Sequence, residues 1–311
     1  MSPLARARAS RAVYVPAAVS SFFEICDRNP DGTTIADPLK IGSRGGGFVI
    51  ERGTITRAFQ SNSDLILINN RQALQARTTR AVLELMRSKF EFGKVRISHK
   101  IDPPIGSGFG TSGSGALGAA VALSDLFELK LSLVQASAFA HEAEIKSLTG
   151  LGTVISLASG TAAIGLVTEP GTLSVGRVDA ILDVYDKFAL VCACFGPIAK
   201  STVLREESKR NSVNQFGRMT LDAVLEEPTP ESLLKHSRSF AEKTAIATKD
   251  LLALSDGALK LGAVGATQNM IGNAVHCLIP KSGQKTFVKS FRRLVPANCI
   301  FESGLIQSGP R

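Results

Sequence analysis

The sequence predicts an α/β protein (α+β, with mixed sheets) of two domains, and two observations support this. Segments typical of strands and segments typical of helices occur in both halves of the chain, so neither half is all-helical or all-β. At 311 residues the chain is also longer than a single hydrophobic core usually extends. We therefore expect an N-terminal domain over residues 1–185 and a C-terminal domain over residues 186–311.

In the predicted N-terminal domain, strands come first and helices follow. Residues 12–23 indicate a strand broken at Pro16, and residues 45–60 indicate two strands that meet near Arg52. Ser132 is predicted to cap a helix. The other elements are, in order, a helix over 70–90, a strand over 94–101, helices over 114–127 and 132–148, and a hairpin that turns at Pro170 and Gly171.

The predicted C-terminal domain opens on a buried strand over residues 188–196. Three helices follow, and short strands around one further helix close the chain. The helices are predicted over 212–225, 229–245, 246–256 and 283–294, and the strands over 274–280 and 299–303.

Composition excludes several classes of protein. With 44% hydrophobic and 20% charged residues the chain is typical of a folded globular protein. No segment approaches the ~20 consecutive apolar residues that a membrane span needs, so we expect no membrane association. The net charge of +9 comes from scattered basic residues, and two tyrosines with no tryptophan offer few surfaces for stacking bases. An anionic small substrate therefore fits this charge better than a nucleic acid does.

The five cysteines follow no spacing typical of a zinc site. Cys192 and Cys194 alternate within an apolar run and so share one face of a strand. An odd number of cysteines among apolar neighbours favours packed, reduced thiols, and hence a cytoplasmic location. The oligomeric state stays open at this point, with a homodimer as one option.

The most informative segment is the glycine-rich stretch over residues 106–120, which leads into an apolar helix. A helix N-terminus presents unpaired N–H groups and positive dipole charge, and glycines let the backbone come close to a phosphate. A P-loop is excluded because no GK[ST] follows the glycines. Gly108, Gly110 and Gly113 do spell GxGxxG, as in a dinucleotide site, but a second helix stands where that site needs its second strand.

A third interpretation fits better, because "PPIGSGFGTSGSGALG" resembles the phosphate-binding motif of the GHMP kinases, PxxxGLGSSAA. Pro104 takes the place of the motif's proline, and Gly108 to Gly110 take the place of its glycine core. The small residues Thr111 to Ser114 form its tail. The match is specific because the proline, glycines, hydroxyl residues and helix all occur in the right order.

Four other segments extend the resemblance to the archaeal pantoate kinase family, a branch of the GHMP kinases. These are "VPAAVSSFF" at 15–23, "DPLKIGSRGGG" at 37–47, "HEAEIKSLTGLG" at 141–152 and "GAVGATQNMIGNAV" at 262–275. The resemblance implies a two-domain GHMP-kinase fold with a deep cleft between the domains. It also implies that the γ-phosphoryl group of ATP is transferred to the 4-hydroxyl of pantoate, with Mg²⁺ as cofactor, in coenzyme A biosynthesis.

The same resemblance assigns candidate site residues. Ser112 and Glu144 match the two ligands of the nucleotide's magnesium and are candidates for catalysis. The nucleotide-binding candidates are Pro104, Gly106, Ser107, Gly108, Phe109, Gly110, Thr111, Ser112, Gly113, Ser114 and Gly115. The substrate-binding candidates are Ser20, Lys40, Ser43, Arg44 and His141. From the residues alone, Lys40 and Arg44 are equally well explained as surface charges and His141 as a structural histidine, and Glu144 is better explained as part of a solvated helix face.

The sequence departs from the family pattern at four positions. Thr153 stands in the catalytic position where the family has an aspartate, and Gly165 lies where an arginine tends to occur. Ala18 replaces a histidine and Ser21 a glycine. General-base help is worth ~10²–10⁴-fold, so these changes predict a slow enzyme rather than an inactive one. A kinase with a different acceptor and a nucleotide-binding regulator without activity remain as alternatives.

Overall fold

The protein is described here by a computed structural model that covers residues 8–161, 163–182, 184–197 and 206–306. Seven strands form a first, mixed sheet, and four strands form a second, antiparallel sheet. The first sheet contains β1 (Val13–Cys26), β2 (Gly42–Gln60), β3 (Leu65–Ile68), β4 (Arg71–Gln72), β5 (Val95–Ile101), β6 (Ile164–Glu169) and β7 (Arg177–Ile181). The second contains β8 (Phe188–Cys194), β9 (Gly265–Gln268), β10 (Ala274–Pro280) and β11 (Ile300–Gly304), in the order β11-β8-β10-β9.

The helices described by the structure divide in the same way. Those of the first part of the chain are α1 (Arg77–Arg87), α2 (Thr111–Leu126), α3 (Leu133–Ser147) and α4 (Thr153–Ala158). Those of the second part are α5 (Glu207–Glu226), α6 (Pro230–Lys243), α7 (Lys249–Lys260) and α8 (Gln284–Phe291). The mixed α/β fold with two sheets confirms the predicted fold class.

Strand β2 is the centre of the first sheet. Strand β1 pairs with one edge of β2. Along the other edge, β6 pairs with the part of β2 around Gly45 and β5 pairs with the part around Thr54. Gly45 and Thr54 therefore each have a strand partner on both sides. The predicted break at Pro16 and the predicted pair of strands over residues 45–60 are wrong, since both strands are continuous. The register shifts at Pro16 instead, and this bulge accommodates a residue that cannot donate a ladder hydrogen bond.

Helix α2 lies at the centre of the helical layer, between the sheet and helices α1 and α3. Its residues are small or apolar, and most of its length is buried, from Gly113 to Leu126. Helix α3 starts where predicted, because the Ser132 hydroxyl accepts from the Gln135 amide while the Gln135 side chain accepts from the Ser132 amide. Helices α2 and α3 also pack against each other, which matters because each carries one residue of the site.

A hydrophobic cluster joins the two sheets. It includes Phe22 and Phe48 from the first sheet, Leu190 and Leu278 from the second, and Phe240 of α6. The chain also returns at its end to the first sheet, where the Ile306 amide donates to the Val49 carbonyl and the Ala163 amide donates to the Ile306 carbonyl. The division into domains over 1–185 and 186–311 stays a prediction, although it falls between the last strand of one sheet and the first strand of the other.

All five cysteines carry free thiols, and Cys192 and Cys277 are buried. Burial raises the pKa of Cys277 above that of an ordinary thiol and, with help from nearby Cys299, raises the pKa of Cys194 to about 12. Among the described residues, no helix combines the length and apolar character needed to cross a bilayer.

Candidate active site

The glycine-rich loop turns sharply into α2. Gly106, Gly108 and Gly110 have φ values of 84°, 80° and 60°, a region in which glycine is favoured. A Cβ atom at Gly110 would also lie 2.5 Å from the Thr153 methyl carbon. In the described part of the chain no side chain caps this helix start. The first turn of α2 thus keeps amide donors and positive dipole charge for an anion.

The start of α2 faces a cavity of about 290 Å³. The cavity is lined by β1, β2, β6, the glycine-rich loop, the segment 148–153 and the turn 270–271. Ten of the predicted site residues line it, namely Ser20, Ser43, Arg44, Gly106, Gly108, Phe109, Gly110, Thr111, Ser112 and Thr153. The structure therefore brings the predicted nucleotide side and much of the predicted acceptor side into one space.

Ser112 and Glu144 are in direct contact. The Ser112 hydroxyl donates to Glu144 Oε1 at 2.8 Å, although the two residues lie on different helices. Glu144 is only 2% exposed, so it is not part of a solvated helix face. Gly150 packs against the carboxylate, and a Cβ atom there would lie 2.7 and 2.8 Å from its two oxygens. The carboxylate is thus held at the beginning of α2, beside the loop.

An oxygen pair of this kind fits a magnesium ion that is bound mainly by phosphate and water. Mg²⁺ prefers hard oxygen ligands and takes only one or two from the protein in most nucleotide sites. Within the described ranges, no group of three or more His, Cys, Asp and Glu side chains is assembled that could hold a metal. A site with Ser112 and Glu144 as its protein ligands is compatible with both facts.

Thr153 is the first residue of α4, and its methyl group is aimed at the loop. The methyl carbon is the atom nearest to the position that a Cβ would take at Gly110, and it lies 3.0 Å from the corresponding position at Gly113. Ala18 and Gly165, two further departures from the family pattern, also line the cavity. Among the described lining residues there is no aspartate or glutamate. Within the part of the chain that the structure describes, no other acid on the cavity wall replaces the missing aspartate.

Several predicted site residues lie outside the cavity lining. Lys40 is exposed, and His141 is buried, with its Nε2 2.8 Å from the Ile41 carbonyl. Burial lowers the pKa of His141, so it packs as a neutral ring. The Ser114 hydroxyl bonds to that of Thr54 at 2.8 Å. The remaining ones are Pro104, Ser107, Gly113, Gly115 and Glu144, whose carboxylate is linked to the lining through its hydrogen bond with Ser112.

Two charged residues that the sequence did not predict support Arg44. Glu24 of β1 is 4% exposed and accepts from Arg44 Nε at 2.8 Å and from Arg218 Nη2 at 3.0 Å. Burial alone would lower the pKa of the Arg44 guanidinium, but the Glu24 charge and hydrogen bonds raise it overall. Two cations share one carboxylate, which leaves a net positive charge at this end of the cavity. Glu24 and Arg44 face each other across the β1–β2 pair, so the pairing of these strands could have indicated their contact. Arg218 lies on α5, far away in the sequence, and no such pattern indicates its contact.

A turn of the second sheet, residues 269–272, completes the cavity and was also not predicted. Asn269 Nδ2 donates to the Ser107 carbonyl at 3.0 Å, and the Met270 amide donates to the Ser20 carbonyl at 2.9 Å. Met270 and Ile271 line the cavity. The turn therefore contacts both the glycine-rich loop and the strand that carries Ser20.

Comparison with known proteins agrees with this geometry. Residues 77–160 match the family model for the GHMP kinases N terminal domain. This range includes the start of α2, α3 and Thr153.

Relatives of known function match most of the chain. A pantoate kinase from Thermococcus kodakarensis is 29% identical over 86% of this chain and 86% of its own length. A pantoate kinase from Methanocaldococcus jannaschii is 28% identical over 93% of this chain and all of its own length. Among solved structures, one described as a phosphotransferase related to the CoA biosynthesis pathway has 26% identity and a TM-score of 0.81, and covers 96% of this chain and 97% of its own.

Proposed function

We propose that this chain, which carries a GHMP kinase N-terminal domain and is related to archaeal pantoate kinases, phosphorylates pantoate with ATP to give 4-phosphopantoate, a step toward coenzyme A. The observation that carries the proposal is that the glycine-rich loop, Ser112 and Arg44 line one cavity, with Glu144 hydrogen-bonded to Ser112. These are the groups that a triphosphate, its metal ion and a carboxylate substrate require.

The loop over residues 104–115 holds the ATP phosphates in this proposal. Its glycines expose backbone amides, and the dipole of α2 adds positive charge at the same point. Ser112 and Glu144 are the residues that would hold Mg²⁺. When bound, that ion neutralises charge on the phosphates as the γ-phosphoryl group moves. Glu144 is buried, so its carboxylate is shielded from solvent and held in place by its hydrogen bond with Ser112.

The acceptor binds on the side of β1 and β2. Pantoate carries one carboxylate and two hydroxyl groups, and Arg44 supplies the cation for the carboxylate while Ser20 and Ser43 supply hydrogen bonds. Glu24 orients the Arg44 guanidinium and Arg218 adds a second positive charge nearby. This pair of arginines offers a replacement for the arginine that the family tends to place near Gly165.

In the transfer step, the pantoate 4-oxygen forms a bond to the γ-phosphorus while the bond from that phosphorus to the bridging β–γ oxygen breaks, and ADP leaves. The hydroxyl proton is released late, because the transition state of phosphoryl transfer is loose, and it passes to an oxygen of the transferred phosphoryl group and from there to solvent. Thr153 does not take this proton, and its methyl group faces the loop. Catalysis then depends on positioning and electrostatics. The rate is lower by the factor of ~10²–10⁴ that a general base would contribute.

We also propose that the enzyme works in the cytoplasm, on small molecules alone. The free thiols of all five cysteines support a reducing compartment.

The test is phosphorus NMR of the full chain incubated with ATP, Mg²⁺ and pantoate, with homoserine and mevalonate as competing acceptors. We expect slow formation of phosphopantoate, and a faster rate in Thr153→Asp, which restores a carboxylate at the start of α4. Ser156→Asp is the matched control, since it adds a carboxylate on the same cavity wall one turn later and should not raise the rate.

Two outcomes would contradict the proposal. If ADP is released with another acceptor and not with pantoate, the substrate is different. If neither the natural chain nor Thr153→Asp turns over any acceptor, the chain is a nucleotide-binding protein without this activity.

A further inference from the structure

We propose that Ser21, His276 and Asn269 are positioning residues for the glycine-rich loop, and that they act as a single chain of hydrogen bonds running from β1 through the second sheet to the loop. This inference rests on the proposed binding of ATP by that loop. It adds a function for three buried polar residues that do not touch the phosphates themselves.

The chain of hydrogen bonds is continuous. The Ser21 hydroxyl lies 2.9 Å from His276 Nε2, and His276 Nδ1 lies 2.9 Å from Asn269 Oδ1. Asn269 Nδ2 then donates to the Ser107 carbonyl at 3.0 Å. All three side chains are fully buried, so water does not compete for these bonds.

The position of every proton in this chain follows from its last member. A carbonyl only accepts, so the atom of Asn269 that faces Ser107 is the NH₂ group, and Oδ1 faces His276. His276 must therefore carry its proton on Nδ1, and its Nε2 accepts from the Ser21 hydroxyl. Burial lowers the pKa of His276 to about 3, so the ring stays neutral and keeps this arrangement near neutral pH.

The direction of the Ser107 carbonyl determines the direction of an amide in the loop. A trans peptide is planar, so the Gly108 N–H points opposite to the Ser107 carbonyl, away from Asn269. Gly108 lines the cavity, and a Cβ atom there would lie 2.8 Å from Asn269 Cβ. Asn269 thus holds this peptide at close range, and rotation of the peptide would turn its amide away from a bound phosphate.

The same turn also holds the acceptor side. The Met270 amide donates to the Ser20 carbonyl at 2.9 Å, directly before Ser21 in β1. A disturbance of Ser21 or His276 therefore reaches the nucleotide loop through Asn269 and the acceptor strand through Met270.

Nucleotide binding gives the first test. Isothermal titration of Mg·ATP into the full chain should show a rise in Kd of about tenfold for Asn269→Asp, because a carboxylate oxygen then faces the Ser107 carbonyl. Ser21→Ala should raise Kd by about threefold, because His276 loses its hydroxyl donor. Ser255→Ala is the matched control, since it removes a buried hydroxyl that bonds within α7, and should bind as the natural chain does.

A second test does not depend on ATP. With ¹⁵N-labelled histidine, NMR should show His276 as the Nδ1–H tautomer in the natural chain, with its signals assigned by their loss in His276→Gln. Ser21→Ala should reduce the preference for that tautomer, while Ser255→Ala leaves it unchanged.

The results separate the two proposals. An Nε2–H tautomer in the natural chain would overturn the inference, as would an Asn269→Asp variant that is folded and binds Mg·ATP with the natural Kd. If the natural protein binds no ATP but His276 has the expected tautomer, the proposed function is wrong. The three hydrogen bonds would then only stabilise the loop.

Discussion

Gly150 offers the sharpest test of the proposed metal ligands, because the three atoms nearest to an added methyl group there all belong to the Glu144 carboxylate. The Cβ atom of Gly150→Ala would lie 2.7 and 2.8 Å from the two carboxylate oxygens, whereas ordinary contact begins at 3.4 Å. The carboxylate must therefore move by about 0.6 Å, which disturbs its hydrogen bond with the Ser112 hydroxyl, now 2.8 Å long. Since the atoms that move belong to the end of a flexible side chain, the fold should tolerate the change.

A displacement of this size is enough to reduce catalysis. Misplacement of a catalytic group by about 1 Å can cost ~10²-fold, so we expect kcat/KM to fall by about ten- to a hundredfold. The midpoint of a Mg²⁺ titration should rise in parallel, while the melting temperature stays nearly the same. The assay is coupled ADP release at several magnesium concentrations.

Gly93→Ala is the matched control, because a Cβ atom there has no neighbour within 4 Å. If Gly150→Ala and Gly93→Ala show the same activity and the same magnesium midpoint, Glu144 does not bind the metal, and the assignment of Ser112 loses its support as well.

Two further predictions concern charge. Arg44→Met should raise the KM for pantoate by about tenfold or more and leave that for ATP unchanged, because a hydrogen bond to a charged group is worth ~1.5–3 kcal/mol; an equal rise for both substrates would contradict the assignment. Burial lowers the pKa of His99 from 6.5 to about 4. The unfolded chain therefore binds a proton that the folded chain does not, and stability falls as pH drops below 6.5 toward 4. In His99→Gln the free energy of unfolding should fall less steeply with decreasing pH, and the difference in slope should correspond to about one bound proton. Guanidinium titrations at pH 7, 6 and 5 measure these slopes, and equal slopes for His99→Gln and the natural chain would refute the prediction.

Sequence patterns predicted those parts of the molecule in which the signal is local. Helix α3 has its cap at Ser132 and its apolar spacing within one segment, and both are found as expected. The contact between Ser112 and Glu144 was implied by the motifs to which they belong, although they lie on different helices.

The parts that were missed depend on contacts between distant segments. Helix α4 is only six residues long and starts directly after a glycine, so periodicity does not reveal it. The continuity of β1 through Pro16 depends on a bulge opposite β2, which only the paired strands define. Arg218 meets Glu24 because α5 packs against β1, and no spacing in the sequence reports that contact.

The return of the chain end to the first sheet has a consequence for how the protein is made. The Val49 carbonyl accepts from the Ile306 amide and the Ala163 amide donates to the Ile306 carbonyl, while the Val49 amide donates directly to the Ala163 carbonyl. The two hydrogen bonds to Ile306 therefore form only after the second sheet has been synthesised, because Ile306 follows β11 in the chain. A fragment that stops at the end of β7 would lack both of them and leave the Val49 carbonyl and the Ala163 amide without these partners.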